Sequence, residues 1–155
     1  MSDLTRSDRF WIAMARHLDR SALKLVASQR ILRALFAVSA RLGSALPPDV
    51  TPIRDAHGAL WFRPAGVARD APVLMYLHGG GFTIGSPRTH AAMIAHMAKA
   101  AGLRAVAPRY RLAPAHPFPA AKDDAIAAYT RLVEQGTPPV AIAGDSAGGC
   151  LALQV

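Results

Sequence analysis

Gly144-Asp145-Ser146-Ala147-Gly148 spells G-x-S-x-G directly after the apolar run Val140 to Ala143. In this pattern a serine takes a sharp strand-to-helix turn that projects its hydroxyl as a nucleophile, and small flanking residues let the chain pass close to its neighbours. A second cluster, His78-Gly79-Gly80-Gly81-Phe82, follows the apolar run Val73 to Leu77. Consecutive glycines let backbone amides converge on one point, where they stabilise the oxyanion that forms when a nucleophile attacks an acyl carbonyl. Such a loop also suits phosphate binding, but no G-K-[ST] follows it and G-x-G-x-x-G is absent. Nucleophile and oxyanion loop are separate requirements of one mechanism, acyl transfer, and their conjunction is more specific than either alone.

The elements that must position these residues follow from hydrophobic periodicity. Val73 to Leu77 is apolar throughout, as a strand buried on both faces is. Thr89 to Ala101 is helical in pattern, Leu103 to Ala107 reads as a buried strand, Ala120 to Gln135 as an amphipathic helix, and Val140 to Ala143 as another buried strand. Ala147 to Val155 begins a further helix. Alternation of this kind predicts βαβ units around a mostly parallel sheet with flanking helices. Before them, Val50 to Arg54 and Ala59 to Arg63 read as a hairpin turning at Ala56-His57-Gly58, and helices are predicted from Leu4 to Leu18 and from Ala22 to Leu42. Pro47-Pro48 marks a boundary between residues 1–46 and 47–155.

Composition excludes several classes. With 52% hydrophobic and 18% charged residues the chain has material for a core and does not read as disordered. A single cysteine, Cys150, forms no intrachain disulfide and no thiol metal cluster. It is expected to face the core. The net charge of +8 points toward nucleic acid, but the 18 basic residues, 15 of them Arg, are spread from Arg6 to Arg131 without a run. A solvated surface is the better reading, and no nucleic-acid partner is expected. No run of 18 or more apolar residues is present, so no stable membrane insertion is expected, and a cytoplasmic location is favoured. Asp123 and Asp124 fall in the first turn of a predicted helix, where negative charge complements the macrodipole. His90, His96 and His116 read as structural or exposed.

Three segments together resemble the hormone-sensitive-lipase-like bacterial carboxylesterases of the α/β-hydrolase superfamily: His78 to Phe82, Tyr110 to Ala120 with its Arg111-Leu112-Ala113-Pro114 and His116-Pro117-Phe118-Pro119, and Gly144 to Gly149. The resemblance implies an α/β-hydrolase fold, incomplete on its C-terminal side, in which residues 1–46 are cap helices walling an acyl pocket. It further implies Ser146 as nucleophile, the amides of Gly80, Gly81 and Ala147 as the oxyanion hole, and His78 with Gly79 as supports of that loop. Ala115 departs from the family, which usually has a glutamate there.

What the pattern lacks is also informative. A serine nucleophile needs a base and a carboxylate to orient it, and in this superfamily they follow in the order Ser, Asp or Glu, His. After Ser146 come Ala, Gly, Gly, Cys, Leu, Ala, Leu, Gln and Val. The triad acid and base are therefore absent from these residues, and the isolated chain is expected to be poorly stable and nearly inactive. The implied substrate is a small-molecule ester, with neither metal nor organic cofactor, and a homo-oligomer is left open. The competing expectation is a truncated, non-catalytic binding protein that retains the oxyanion loop.

Overall fold

The computed structural model describes residues 29–43 and 45–155. The helix expected from Leu4 to Leu18, and the first part of the one expected from Ala22, lie outside them. The chain divides into two compact units, Met1–Leu32 and Arg33–Val155. The second holds both motifs.

Helix α1 spans Gln29–Gly43. A hairpin follows, with β1 at Ile53–Arg54 antiparallel to β2 at Leu60–Phe62, Ile53 opposite Trp61. The hairpin is where it was expected, but its first strand is shorter. Val50 donates its amide to Pro47 O in a turn at 3.0 Å and is not part of the strand. Asp55 holds the bend: Oδ1 accepts from the amides of His57 and Ala59, both at 2.9 Å, and Oδ2 accepts from the Trp61 indole at 3.0 Å.

Then come β3 (Val73–Leu77), α2 (Ala91–Ala101), β4 (Arg104–Ala107), α3 (Ala120–Glu134), β5 (Pro139–Gly144) and α4 (Ala147–Ala152). Apart from shifts of one or two residues, and a final helix that ends at Ala152, these are the predicted elements, but β5 is not the buried strand expected from Val140 to Ala143: it lies at the edge of the sheet and none of its residues is buried. Helix α2 starts at Ala91, with His90 as its N-cap, and its C-cap is Gly102 in the left-handed conformation.

The five strands form one sheet in the order β1-β2-β4-β3-β5. β4 and β5 are both parallel to β3, on opposite sides of it, and β2 joins β4 antiparallel. The alternating side chains of β3 explain its wholly apolar sequence. Leu74 and Tyr76 pack with Ala91, Ile94, Ala95 and Ala98 of α2, whereas Val73, Met75 and Leu77 pack with residues of α3 and with Leu151 of α4. The two helical layers thus cover opposite faces. Because the chain moves from β3 to β4 on one side and then to β5 on the other, strand order reverses at β3, and the crevice beyond the carboxyl ends there is where such sheets place their ligands. No helix among the described residues is long and apolar enough to cross a membrane.

Candidate functional site

Both sequence motifs leave the sheet at that reversal, from neighbouring strands. Leu77 pairs with Gly144 at the last position of the β3–β5 ladder, so the loop beginning at His78 and the turn beginning at Asp145 emerge side by side. Ser146 is exposed and has φ 49° and ψ −119°, a left-handed backbone that an L-residue adopts only at a cost of about 1–3 kcal/mol. Surrounding structure must impose it. Gly148 is part of that structure: its Cα lies so close to Leu77 that an added Cβ would collide with the Leu77 carbonyl oxygen. Only glycine permits the approach.

The loop predicted to hold the oxyanion closes on itself, since Gly80 O accepts from the amides of Thr83 and Ile84, both at 3.0 Å. Gly80 sits at φ 120°, and a Cβ there would meet the Ile84 carbonyl. Among the described residues the amides of Gly80, Gly81 and Ala147 donate to no acceptor. Three predicted donors are thus left open at the rim of the sheet.

Asp145, the variable position of the serine motif, fastens the two turns together. Its Oδ1 accepts from the Gly79 amide at 2.8 Å and from the Tyr76 hydroxyl at 2.9 Å, and the His90 Nε2 lies 3.5 Å away. Burial and the adjacent carboxylate push the Tyr76 hydroxyl well above its ordinary value, so it remains a donor. Neither Asp145 nor Tyr76 was singled out from sequence. The available signal was that Asp145 lies inside the motif and is the one charged residue between Val140 and Val155.

His78 is buried behind the loop. Its Nδ1 lies 2.8 Å from Gly79 O, and because a carbonyl only accepts, Nδ1 carries the proton. The Tyr110 hydroxyl donates to His78 O and lies 3.1 Å from Nδ1, while the two rings stack with centroids 4.2 Å apart. His90 packs at 5.5 Å from the same imidazole. Burial, the main cause, lowers the His78 pKa to about 4, so the ring is neutral near pH 7. Only 1% of the His78 surface is exposed, and its ring is packed against Tyr110 and His90 behind the loop.

From α1, Arg33 donates through Nε to Thr83 O at 2.7 Å and through Nη2 to Ala113 O at 3.0 Å, and the Ala113 amide donates to Phe82 O at 2.8 Å. The loop is thereby tied to the segment 110–114. That segment is held in turn by Asp124, which accepts from the Arg111 amide at 2.8 Å and pairs with its guanidinium at 2.8 Å. Asp124 has a specific ionic partner beyond the dipole interaction expected of it. An apolar hollow of about 290 Å³ lies against Gly81 and Phe82, lined also by Ala113, Phe118 and Leu151. The expectation that Cys150 faces the core also fails, since it is exposed. It lies one turn after the outward-facing Ser146, and α4 buries Ala147, Gly148 and Leu151 instead.

Residues 74–155 match the profile of the family described as having an alpha/beta hydrolase fold. The chain belongs to that family. Within it the chain is hormone-sensitive-lipase-like. It is 50% identical over 109 residues to an acetyl-hydrolase of Streptomyces hygroscopicus, covering 69% of this chain and 36% of that protein. It is 37% identical over 143 residues to the carboxylic ester hydrolase LipN of Mycobacterium tuberculosis, covering 84% of this chain and 37% of LipN. Among solved structures, an esterase from the bacterial hormone-sensitive lipase family superposes with a TM-score of 0.73 at 42% identity, over 81% of this chain and 43% of that one. An ester-hydrolase from the metagenome of Lake Arreo, complexed with a derivative of bipyridine phosphonate, gives a TM-score of 0.78 at 29% identity, over 97% and 53% of the two chains. The chain thus spans just over a third of the length of these curated relatives and about half of the solved chains.

Proposed function

We propose that these residues carry the nucleophile and the oxyanion-stabilising half of a serine carboxylesterase that works through an acyl-enzyme at Ser146. The observation that carries the reading is the Asp145 clasp. One carboxylate fixes the strained serine turn against Gly79, beside the unengaged amides of Gly80, Gly81 and Ala147. In the proposed reaction the Ser146 oxygen attacks the ester carbonyl carbon and the carbonyl electron pair moves onto oxygen. The three amides hold that oxyanion, each worth roughly 3–4 kcal/mol to the barrier. Collapse expels the alcohol and leaves the acyl group on Ser146, and water then releases the carboxylic acid. The apolar hollow beside Gly81 suits an uncharged substituent of a small ester.

The base that takes the Ser146 proton and the carboxylate that orients it do not occur between Ser146 and Val155. His78 does not fill the role, being enclosed and bonded to Gly79 O. A chimera tests the proposal by joining residues 1–155 to the remaining part of the Streptomyces acetyl-hydrolase. It should hydrolyse p-nitrophenyl acetate, show an acyl adduct on the peptide containing Ser146, and lose activity on Ser146→Ala. Ester turnover that survives Ser146→Ala, or residues 1–155 alone turning over the ester at the chimera's rate, would sink it.

A further inference from the structure

The arginines that look dispersed along the chain are not dispersed in the fold. Arg33 from α1, Arg54 from β1, Arg88 from the loop before α2, and Arg109 and Arg111 from the segment after β4 line one groove of about 600 Å³, together with His78 and His116. No Asp or Glu is among its described lining residues. Arg111 is neutralised from outside by Asp124, Arg33 is occupied by two carbonyls, and Arg54 donates to Gly58 O at 3.0 Å. Arg88 and Arg109 are exposed and have no carboxylate within ion-pair distance among the described residues. An adjacent hollow shares Arg109 and Arg111 and adds Arg131 with two carboxylates, of which Asp124 pairs with Arg111 and Asp55 is engaged by two amides and the Trp61 indole. Positive charge is left over on both sides of Arg109.

We propose that this groove is a binding site for a small molecule bearing a phosphate or pyrophosphate group. Two unpaired guanidiniums call for a dianion, and their planar forks match phosphoryl oxygens two at a time. The volume exceeds what one phosphate fills, so the anion arrives on a larger body, with Leu112 and Ala115 as apolar surface for it. Arg33 and Arg54 already spend hydrogen bonds on carbonyls but keep their charge, and so add field without needing to reorient. The groove does not open into an uninterrupted basic stripe that a nucleic-acid backbone could follow: the adjoining hollow adds one arginine, Arg131, but also Asp55 and Asp124, and Arg63 and Arg69 line neither.

Calorimetric titration of the chain with inorganic phosphate and with pyrophosphate, at ionic strength held near 0.15 M with NaCl, tests this. One saturable site is expected, tighter for pyrophosphate. Arg88→Ala and Arg109→Ala, both exposed side chains without partners, should each weaken it about tenfold with unchanged circular dichroism. Arg69→Ala, which is exposed and outside the groove, should leave it unchanged. Uptake that fails to saturate, or an equal loss on Arg69→Ala, would show a diffuse charge effect and overturn the proposal. Duplex DNA competing more strongly than pyrophosphate would overturn it in favour of a nucleic-acid surface.

Discussion

β3 and β5 are neighbours, run in the same direction and each deliver one half of the candidate site, yet they are held in different ways. All five residues of β3 are buried, sandwiched between α2 on one face and α3 with α4 on the other. None of the six residues of β5 is buried, and Val140 is 63% exposed. β3 is positioned by packing. The end of β5 is positioned by polar contacts at its tip, where Asp145 grips Gly79 and Tyr76, and by the fit of Gly148 against Leu77. A strand can therefore carry a reactive residue with little burial of its own, provided its last turn is clasped to a strand that is buried.

The largest effect should come from β3. Met75 is fully buried, and Met75→Ala should cost about 2–5 kcal/mol through lost transfer energy and a residual cavity. Ile142, its ladder partner on β5, is partly exposed, and Ile142→Ala should cost about 1 kcal/mol. Urea unfolding of both variants measures the gap. Equal losses would mean that β5 is as well packed as β3.

Next is the acid response of the brace behind the loop. Burial lowers the His78 pKa from 6.5 to about 4, so the folded chain resists a proton that the unfolded chain accepts. Stability is therefore whole above the unfolded value, declines as pH falls from 6.5 toward about 4, and loses nothing more from this group below that. The loss is ~3 kcal/mol at most. Comparing melting temperatures of the parent and His78→Gln across the window isolates the histidine from carboxylates that titrate nearby. Parallel pH profiles would remove His78 from the account.

How much of this was legible in the sequence follows the same division. The central strand could be read because burial on both faces demands an unbroken apolar run, and both glycine motifs could be read because backbone geometry limits which residues fit. The clasp could not be read, because Tyr76, Gly79, His90 and Asp145 come from separate elements and converge only once β3 and β5 pair. The arginine groove was missed for the same reason: charges at 33, 54, 88, 109 and 111 look evenly spread until the sheet reverses. Cys150 was misplaced because periodicity gives the spacing of a helix face, not which face is buried.

The clasp itself should be worth less than the core. Asp145→Ala leaves the Gly79 amide and the Tyr76 hydroxyl without their acceptor, which should cost about 1–3 kcal/mol. Asp145→Asn keeps an oxygen in place and should cost less. If Asn proves as harmful as Ala, the negative charge matters, and the His90 contact at 3.5 Å is more than proximity.

The smallest effect on stability should come from Val140, and it separates packing from pairing. Among the described residues β5 has a ladder partner only on its β3 side, so its other edge offers unpaired amides and carbonyls flanked by an exposed valine. Such an edge favours association with another strand, and lysine is a common natural safeguard. Val140→Lys should change the unfolding free energy by no more than about 0.5 kcal/mol, because little packing is lost at an exposed site. It should nonetheless lower light scattering by the chain at high concentration. A large drop in stability would mean that Val140 packs against something in solution. Unchanged scattering would mean that the open edge of β5 is not what brings chains together.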